Sequence, residues 1–154
     1  MMWWIEKGVL AGSHNPSDRE LSNAAKLGIT TVISLLDETE QVPAYSDEIF
    51  RVGKLQYRHS ISVRDYSPPS IGQLMEFIAI VRESAGAVLV HCQGGSGRTG
   101  TFGAAWLISK GFSADGAIRA IREMNPRAVE TAAQEECLWT FSDLYREKSS
   151  KAGK

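Results

Sequence analysis

The sequence predicts a single α/β domain with a mostly parallel central sheet flanked by helices. Two short β-branched apolar runs, TTVISLL (30–36) and AVLVH (87–91), have the length and composition of buried strands. Segments with helical periodicity or helix-start signals stand between and after them, the alternation that builds a parallel sheet with crossover helices. At 154 residues the chain can bury one core without disulfides or a metal, and it carries no internal repeat.

Taken in order, WWIEKGVLAGS (3–13) reads as two short strands broken at Gly8. In HNPSDRELSNAAKLG (14–28), Asn15 is placed to cap a helix and Pro16 suits its first position. Asp18 and Glu20 complement the positive end of its dipole, and Gly28 stops it. TTVISLL follows as a strand. The polar stretch from Asp37 to Gly53 offers only a weak helix, around Tyr45 to Val52. LQYRHSI (55–61) alternates, which puts Leu55, Tyr57, His59 and Ile61 on one face of a half-buried strand. SVRDYSPPS (62–70) is a loop, because each proline keeps its predecessor out of the helical region. Ser70 opens a helix with Ile71, Leu74, Met75, Ile78 and Val81 at helical spacing. After the AVLVH strand, Thr99 to Gly111 reads as a buried helix stopped by the glycine. Ser113 caps a helix running to Asn125, ahead of Pro126, and a last helix covers Thr131 to Lys148. The domain is expected to span 1–148, with a disordered tail over 149–154.

Composition excludes several classes. A formal net charge of -1 with 23% charged residues gives no electrostatic reason to bind nucleic acid. Cys92 and Cys137 lie 45 positions apart with no C-x-x-C pair, which speaks against a disulfide scaffold or a zinc site. No metal and no cofactor are expected. No apolar run approaches the roughly 18 residues a spanning helix needs, and MMWWIEKGV lacks the basic start and apolar stretch of a signal peptide. The expected setting is cytoplasmic, the expected state a monomer, and no membrane partner is foreseen.

The most informative stretch is VHCQGGSGRTG (90–100), in which a strand runs through a glycine-rich loop into a helix. Backbone N–H groups can converge there on one point at the helix N-terminus, and that point binds an anion. Gly94, Gly95, Gly97 and Gly100 let an oxyanion approach the main chain. The same field favours thiolate over thiol at Cys92. Arg98 supplies a planar fork that pairs two oxygens of a phosphoryl group, a geometry lysine cannot reproduce. Phosphoryl transfer to sulfur is the reaction these parts suit. A nucleotide-binding loop of the form G-x-x-x-x-G-K-[ST] is excluded, because Arg98 stands at the lysine position and Cys92 at the first glycine.

His91, Cys92, Arg98 and Thr99 match H-C-x(5)-R-[ST], and on that motif the chain resembles the protein tyrosine phosphatase superfamily. With LAGS (10–13), SVRDYSPPS and NPRAVETAAQ (125–134), it looks most like small atypical dual-specificity phosphatases and their compact microbial relatives. The resemblance implies a cysteine phosphatase-like fold and a metal-independent reaction through a phosphocysteine intermediate. It makes Cys92 the nucleophile, Arg98 the stabiliser of the transferring group, Thr99 the donor to the departing thiolate, and His91 the residue that orients the loop. Gln93, Gly94, Gly95, Ser96, Gly97 and Arg98 would hold the substrate. Asp65, 27 residues before Cys92 in a proline-bearing loop, resembles the family's general acid in placement, with Asp37 as its competitor. Val63 and Arg64 stand where the larger phosphotyrosine enzymes carry Trp and Pro.

Two readings stand side by side for Gln134: the glutamine that positions water in the family, and the last residue of a T-x-x-Q capping box begun by Thr131. Glu130 is read as favouring the positive end of the last helix, Cys137 as packing, and Trp3 and Trp4 as edge-strand packing. The loop QGGSG carries no lysine or second arginine, so a phosphorylated protein or peptide, phosphotyrosine first, is favoured over an inositol phosphate. Phosphoserine and phosphothreonine stay open. The rival classes are a phosphopeptide-binding module without catalysis, an inositol phosphate phosphatase, and sulfur transfer of the rhodanese type.

Overall fold

The computed structural model describes residues 2–40 and 42–152. Strands β1 (Met2–Glu6) and β2 (Leu10–Ser13) are the two short strands the sequence predicts on either side of Gly8, and they pair as an antiparallel hairpin. Strands β3 (Ile29–Ser34), β4 (Tyr57–Ser60) and β5 (Ala87–His91) complete a five-stranded sheet in the order β1-β2-β5-β3-β4. Every pairing beyond the hairpin is parallel. Strand β5 lies at the centre and is buried at all five residues, which explains its unbroken apolar run. Its side chains alternate between two cores. Val88 and Val90 face one, and Ala87 and Leu89 face the other.

Helices cover both faces. Helix α1 (Asp18–Lys26) and the single turn α2 (Ile49–Val52) cover the Leu89 side, where Leu21, Ala24 and Ile49 meet Val32. Helices α3 (Ile71–Glu83), α4 (Gly97–Ser109), α5 (Ala114–Met124) and α6 (Ala132–Ala152) cover the Val90 side. Helix α4 is buried from Gly97 through Ile108, and Phe102 meets Phe77 of α3 edge-to-face at 5.1 Å. None of the helices among the described residues is long and apolar enough to cross a membrane.

Several elements differ from the sequence reading. The cap of α1 is Ser17, not Asn15. Ser17 Oγ accepts Glu20 N–H while the Glu20 carboxylate accepts Ser17 N–H, a reciprocal capping box that places Pro16 ahead of the cap. Asn15 is engaged elsewhere, with its N–H on Gln93 O at 3.1 Å and its Oδ1 accepting Ala44 N–H at 2.9 Å. The predicted helix over 45–52 contracts to Ile49–Val52. The alternation of 55–61 also fails as a strand face. Leu55 and Ile61 are buried, but they flank a four-residue edge strand on which Tyr57 is exposed. At the C-terminus α6 continues to Ala152, four residues past the expected boundary, and residues 153 and 154 lie outside the described residues.

Candidate active site

Because β5 is central and parallel to both neighbours, its carboxyl end opens where β2 and β3 also end, the position at which open α/β sheets gather ligands. Cys92 is the first residue beyond it and is 3% exposed. Its Sγ accepts Gly95 N–H at 3.2 Å and the Thr99 hydroxyl at 3.0 Å. The sulfur is thus the acceptor of one main-chain and one side-chain donor. Gly95 has φ of +80°, and any Cβ there would lie 2.5 Å from His14 N, so only glycine lets the loop fold this closely onto the β2 end.

His91 fixes the start of the loop. It is fully buried, its Nδ1 lies 3.2 Å from Cys92 O and its Nε2 lies 2.8 Å from the Tyr45 hydroxyl. A carbonyl can only accept, so Nδ1 carries the proton and Tyr45 donates to Nε2. Burial pushes the imidazole down to about 4, so the ring is neutral at pH 7. In a trans peptide C=O and N–H point opposite ways. Holding Cys92 O on His91 and Gln93 O on Asn15 N–H therefore turns the N–H groups of Gln93 and Gly94 the other way. Gln93 and Gly94 are exposed at the mouth, Ser96 is half-buried, and Gly97 lies against the carboxylate of Glu130.

Arg98 enters from the first turn of α4 with its side chain 1% exposed. Nη1 donates to Glu40 Oε1 at 2.5 Å and Val63 O at 2.8 Å, and Nη2 donates to Glu40 Oε2 at 2.7 Å. Asp65 Oδ1 stands 3.4 Å from Nη2. Burial opposes the charge on Arg98. The Glu40 hydrogen bonds and the negative charges of Cys92, Glu40 and Asp65 outweigh it and hold the guanidinium above its ordinary value. In turn, the Arg98 hydrogen bond holds the Glu40 carboxyl below the usual carboxylate range. Among the described residues, Arg98 Nε is the one buried side-chain nitrogen or oxygen without a partner.

Asp65 sits in the loop after β4, half-exposed, with Oδ1 accepting Tyr66 N–H at 3.0 Å. Tyr66 adopts φ of 66°, in the left-handed region, which marks a tightly constrained turn. The turn is tied to the start of α6: Thr131 Oγ1 donates to Tyr66 O at 3.2 Å and Gln134 Nε2 to Ser67 O at 3.3 Å. Gln134 is fully buried, and its Oε1 accepts the N–H groups of Glu130 (2.8 Å) and Thr131 (3.2 Å) while Thr131 Oγ1 accepts Gln134 N–H at 3.1 Å. These are the contacts of a helix cap that also anchors the Asp65 loop. Asp37 is turned aside: its carboxylate takes the Thr39 hydroxyl at 2.8 Å, which holds it below the ordinary range.

The structure thus gathers Cys92, Thr99, Arg98 and Asp65, with His91 and Gln134 one contact further out. Sequence reasoning missed Glu40 and Tyr45. Both lie in the polar segment after β3, and the partners that matter, Arg98 for Glu40 and His91 for Tyr45, are remote in sequence. The one faint signal was the D-x-x-E spacing, now visible as Asp37 N–H donating to Glu40 Oε1 at 2.9 Å.

Comparison with known proteins agrees with this geometry. A family model described as "PTP-SAK: Swiss Army Knife protein, DSP-PTPase phosphatase domain" matches residues 1–138. The crystal structure of Tk-PTP in the active form superposes with a TM-score of 0.77 at 34% identity, covering 92% of this chain and 96% of that one. Protein tyrosine phosphatase domain-containing protein 1 of Danio rerio is 29% identical over 110 residues, 70% of this chain but only 15% of that protein's length. PTPMT1 in complex with PI(5)P shares the fold, with a TM-score of 0.80 at 20% identity over 96% of this chain and 98% of that one. Fold, motif and family model agree, and the chain belongs to the DSP-PTPase phosphatase domain family of the protein tyrosine and dual-specificity phosphatases.

Proposed function

We propose that the protein hydrolyses phosphotyrosine in proteins or peptides, by way of a phosphocysteine and without a metal. The observation that carries the reading is the partnerless Nε–H of Arg98. A buried donor left unpaired costs about 1–3 kcal/mol, and an equatorial phosphoryl oxygen would relieve that cost.

In the first step Cys92 Sγ attacks phosphorus, the S–P bond forms and the P–O bond to the leaving group breaks. Charge on the equatorial oxygens is met by Arg98 and by N–H groups of the loop from Gln93 to Arg98 other than that of Gly95, which meets the sulfur. The leaving oxygen takes its proton from Asp65, whose place 3.4 Å from Arg98 Nη2 puts a carboxyl at the edge of the anion site. In the second step Asp65, now a carboxylate, takes a proton from water as the water attacks phosphorus. The S–P bond breaks, and the Thr99 hydroxyl, 3.0 Å from Sγ, stabilises the returning thiolate. His91 orients the loop, and Gln134 holds the Asp65 turn in place.

Local charge supports this substrate class. Between Cys92 and Arg98 the loop has no cationic side chain to meet further phosphates, which favours a singly phosphorylated group over an inositol phosphate. The fold-level likeness to PTPMT1, solved with PI(5)P, makes the lipid headgroup the competitor to test. A panel of phosphotyrosine, phosphoserine and phosphothreonine peptides and inositol phosphates, assayed with a chelator present, decides between them. Release of phosphate from the phosphotyrosine peptide, abolished in Cys92→Ser, is the expected result. Full activity in Cys92→Ser would remove the mechanism, and stoichiometric binding without release would make the protein a recognition module.

A further inference from the structure

One backbone oxygen of the loop collects two side-chain donors from outside the reacting groups. Trp3, on edge strand β1, donates its indole Nε1–H to Gly95 O at 3.2 Å, across 92 positions of sequence. Asn125, at the C-cap of α5, donates Nδ2–H to the same oxygen at 3.3 Å and to Ser96 Oγ at 3.3 Å. Its own Oδ1 accepts Arg127 N–H at 3.1 Å, which sets the direction of the amide.

The indole reaches the loop because its cross-strand partner is a glycine. Trp3 pairs with Gly12, where an added Cβ would lie 2.9 Å from Trp3 Cε2 and 2.8 Å from Thr99 Cγ2. Trp3 therefore lies across Gly12 and beside the residue whose hydroxyl donates to Cys92 Sγ. Packing alone, as expected for an edge-strand tryptophan, does not account for the polar contact.

We infer that Trp3 and Asn125 are positioning residues that hold the Gly95–Ser96 peptide in its anion-binding orientation, a role that rests on the phosphatase reading above. Fixing Gly95 C=O toward these two donors turns the Ser96 N–H to the opposite side, where it joins the N–H groups of Gln93 and Gly94 around the oxyanion. Two donors on one acceptor make the device redundant. Losing either leaves the carbonyl satisfied; losing both frees the peptide to rotate and removes one N–H from the site.

The test is a double-mutant cycle on inorganic phosphate binding, read as protection of Cys92 from iodoacetamide so that no turnover is needed. Trp3→Phe keeps a six-membered aromatic ring but removes the N–H together with the five-membered ring of the indole, so Trp4→Phe serves as the control for the lost ring; Asn125→Ala removes the amide. Each single change is expected to weaken phosphate by about threefold, and the pair by more than about thirtyfold, well beyond the product of the two. The rate of Cys92 alkylation without phosphate, measured at one fixed pH, should fall in the pair, because the freed peptide weakens the neighbouring Gly95 N–H contact to sulfur. Trp4→Phe, on the same strand, should change neither. Where Asn125→Ala does not fold, Asn125→Ser takes its place in the cycle. Effects of the pair equal to or below the product, or a fall in thermal midpoint with phosphate affinity and alkylation unchanged, would overturn the inference. Absence of phosphate protection in the unsubstituted protein would instead overturn the phosphatase reading beneath it.

Discussion

Glu40 grips Arg98 with both carboxylate oxygens, at 2.5 and 2.7 Å, so the guanidinium is oriented before any substrate arrives. The pair is 58 positions apart in sequence and nearly buried. A planar fork held on its Nη1/Nη2 edge presents Nε to the remaining side, which is the orientation a phosphoryl oxygen needs.

Glu40→Gln keeps one acceptor and removes the charge. The expected outcome is a fall in kcat/KM of about tenfold on an aryl phosphate, or ~1.4 kcal/mol of transition-state stabilisation, with weaker inhibition by inorganic phosphate. Steady-state kinetics with phosphate as competitor checks it. Unchanged kinetics would mean that Val63 O, Leu35 O and Asp65 orient the guanidinium without the Glu40 charge.

Asp65→Asn should lower kcat by roughly 10²- to 10⁴-fold when the leaving group is a phenol or alcohol of ordinary basicity, and by far less with a nitrophenolate, which departs without a proton. A comparison of the two substrates across pH distinguishes loss of the acid from general damage. Equal losses on both would move the acid role away from Asp65.

Stability should fall with acid through His91. The unfolded imidazole takes its proton near 6.5, the buried one near 4. Between those values the unfolded chain binds a proton that the folded chain does not, so folding stability decreases as pH drops, by up to ~3 kcal/mol. Urea denaturation at several pH values measures the slope, and His91→Asn should flatten it. A slope unaltered by that change would assign the acid sensitivity elsewhere.

Tyr45→Phe leaves His91 Nε2 buried without its 2.8 Å donor. A cost of about 1–3 kcal/mol at pH 7 is expected, with a smaller loss of activity than Glu40→Gln causes, because the tyrosine touches the loop only through the imidazole. Thermal denaturation and kcat measured on the same preparation check both halves.

The part of the site legible in the sequence is the part that is local in the chain. Strand β5, the Cys92–Arg98 loop and the start of α4 are consecutive, so a short apolar run, clustered glycines and a helix start sufficed to read them. The cap of α3 was legible for the same reason, since Ser70 and Gln73 satisfy each other's backbone within one turn. Asn15 was misread because two caps competed. Ser17 had Glu20 at the reciprocal spacing, while Asn15 was claimed by Gln93 and Ala44, contacts no local pattern announces. Glu40 and Tyr45 were invisible for that reason too: their partners lie on α4 and at the end of β5. The alternation in LQYRHSI misled because β4 is an edge strand, where period two need not mean that one face is covered.

The central place of β5 bears on durability. Because it is flanked on both sides by parallel neighbours, its amides are expected to be among the slowest in the domain to exchange with solvent. The sulfur at its end should keep its setting until the domain melts. Strand β4 lies at the edge of the sheet, and Glu40 reaches Arg98 from the loop after β3, so local opening is expected there first. Transient fraying there would unlatch the guanidinium while sparing the nucleophile, a folded but idle species that precedes global denaturation on warming.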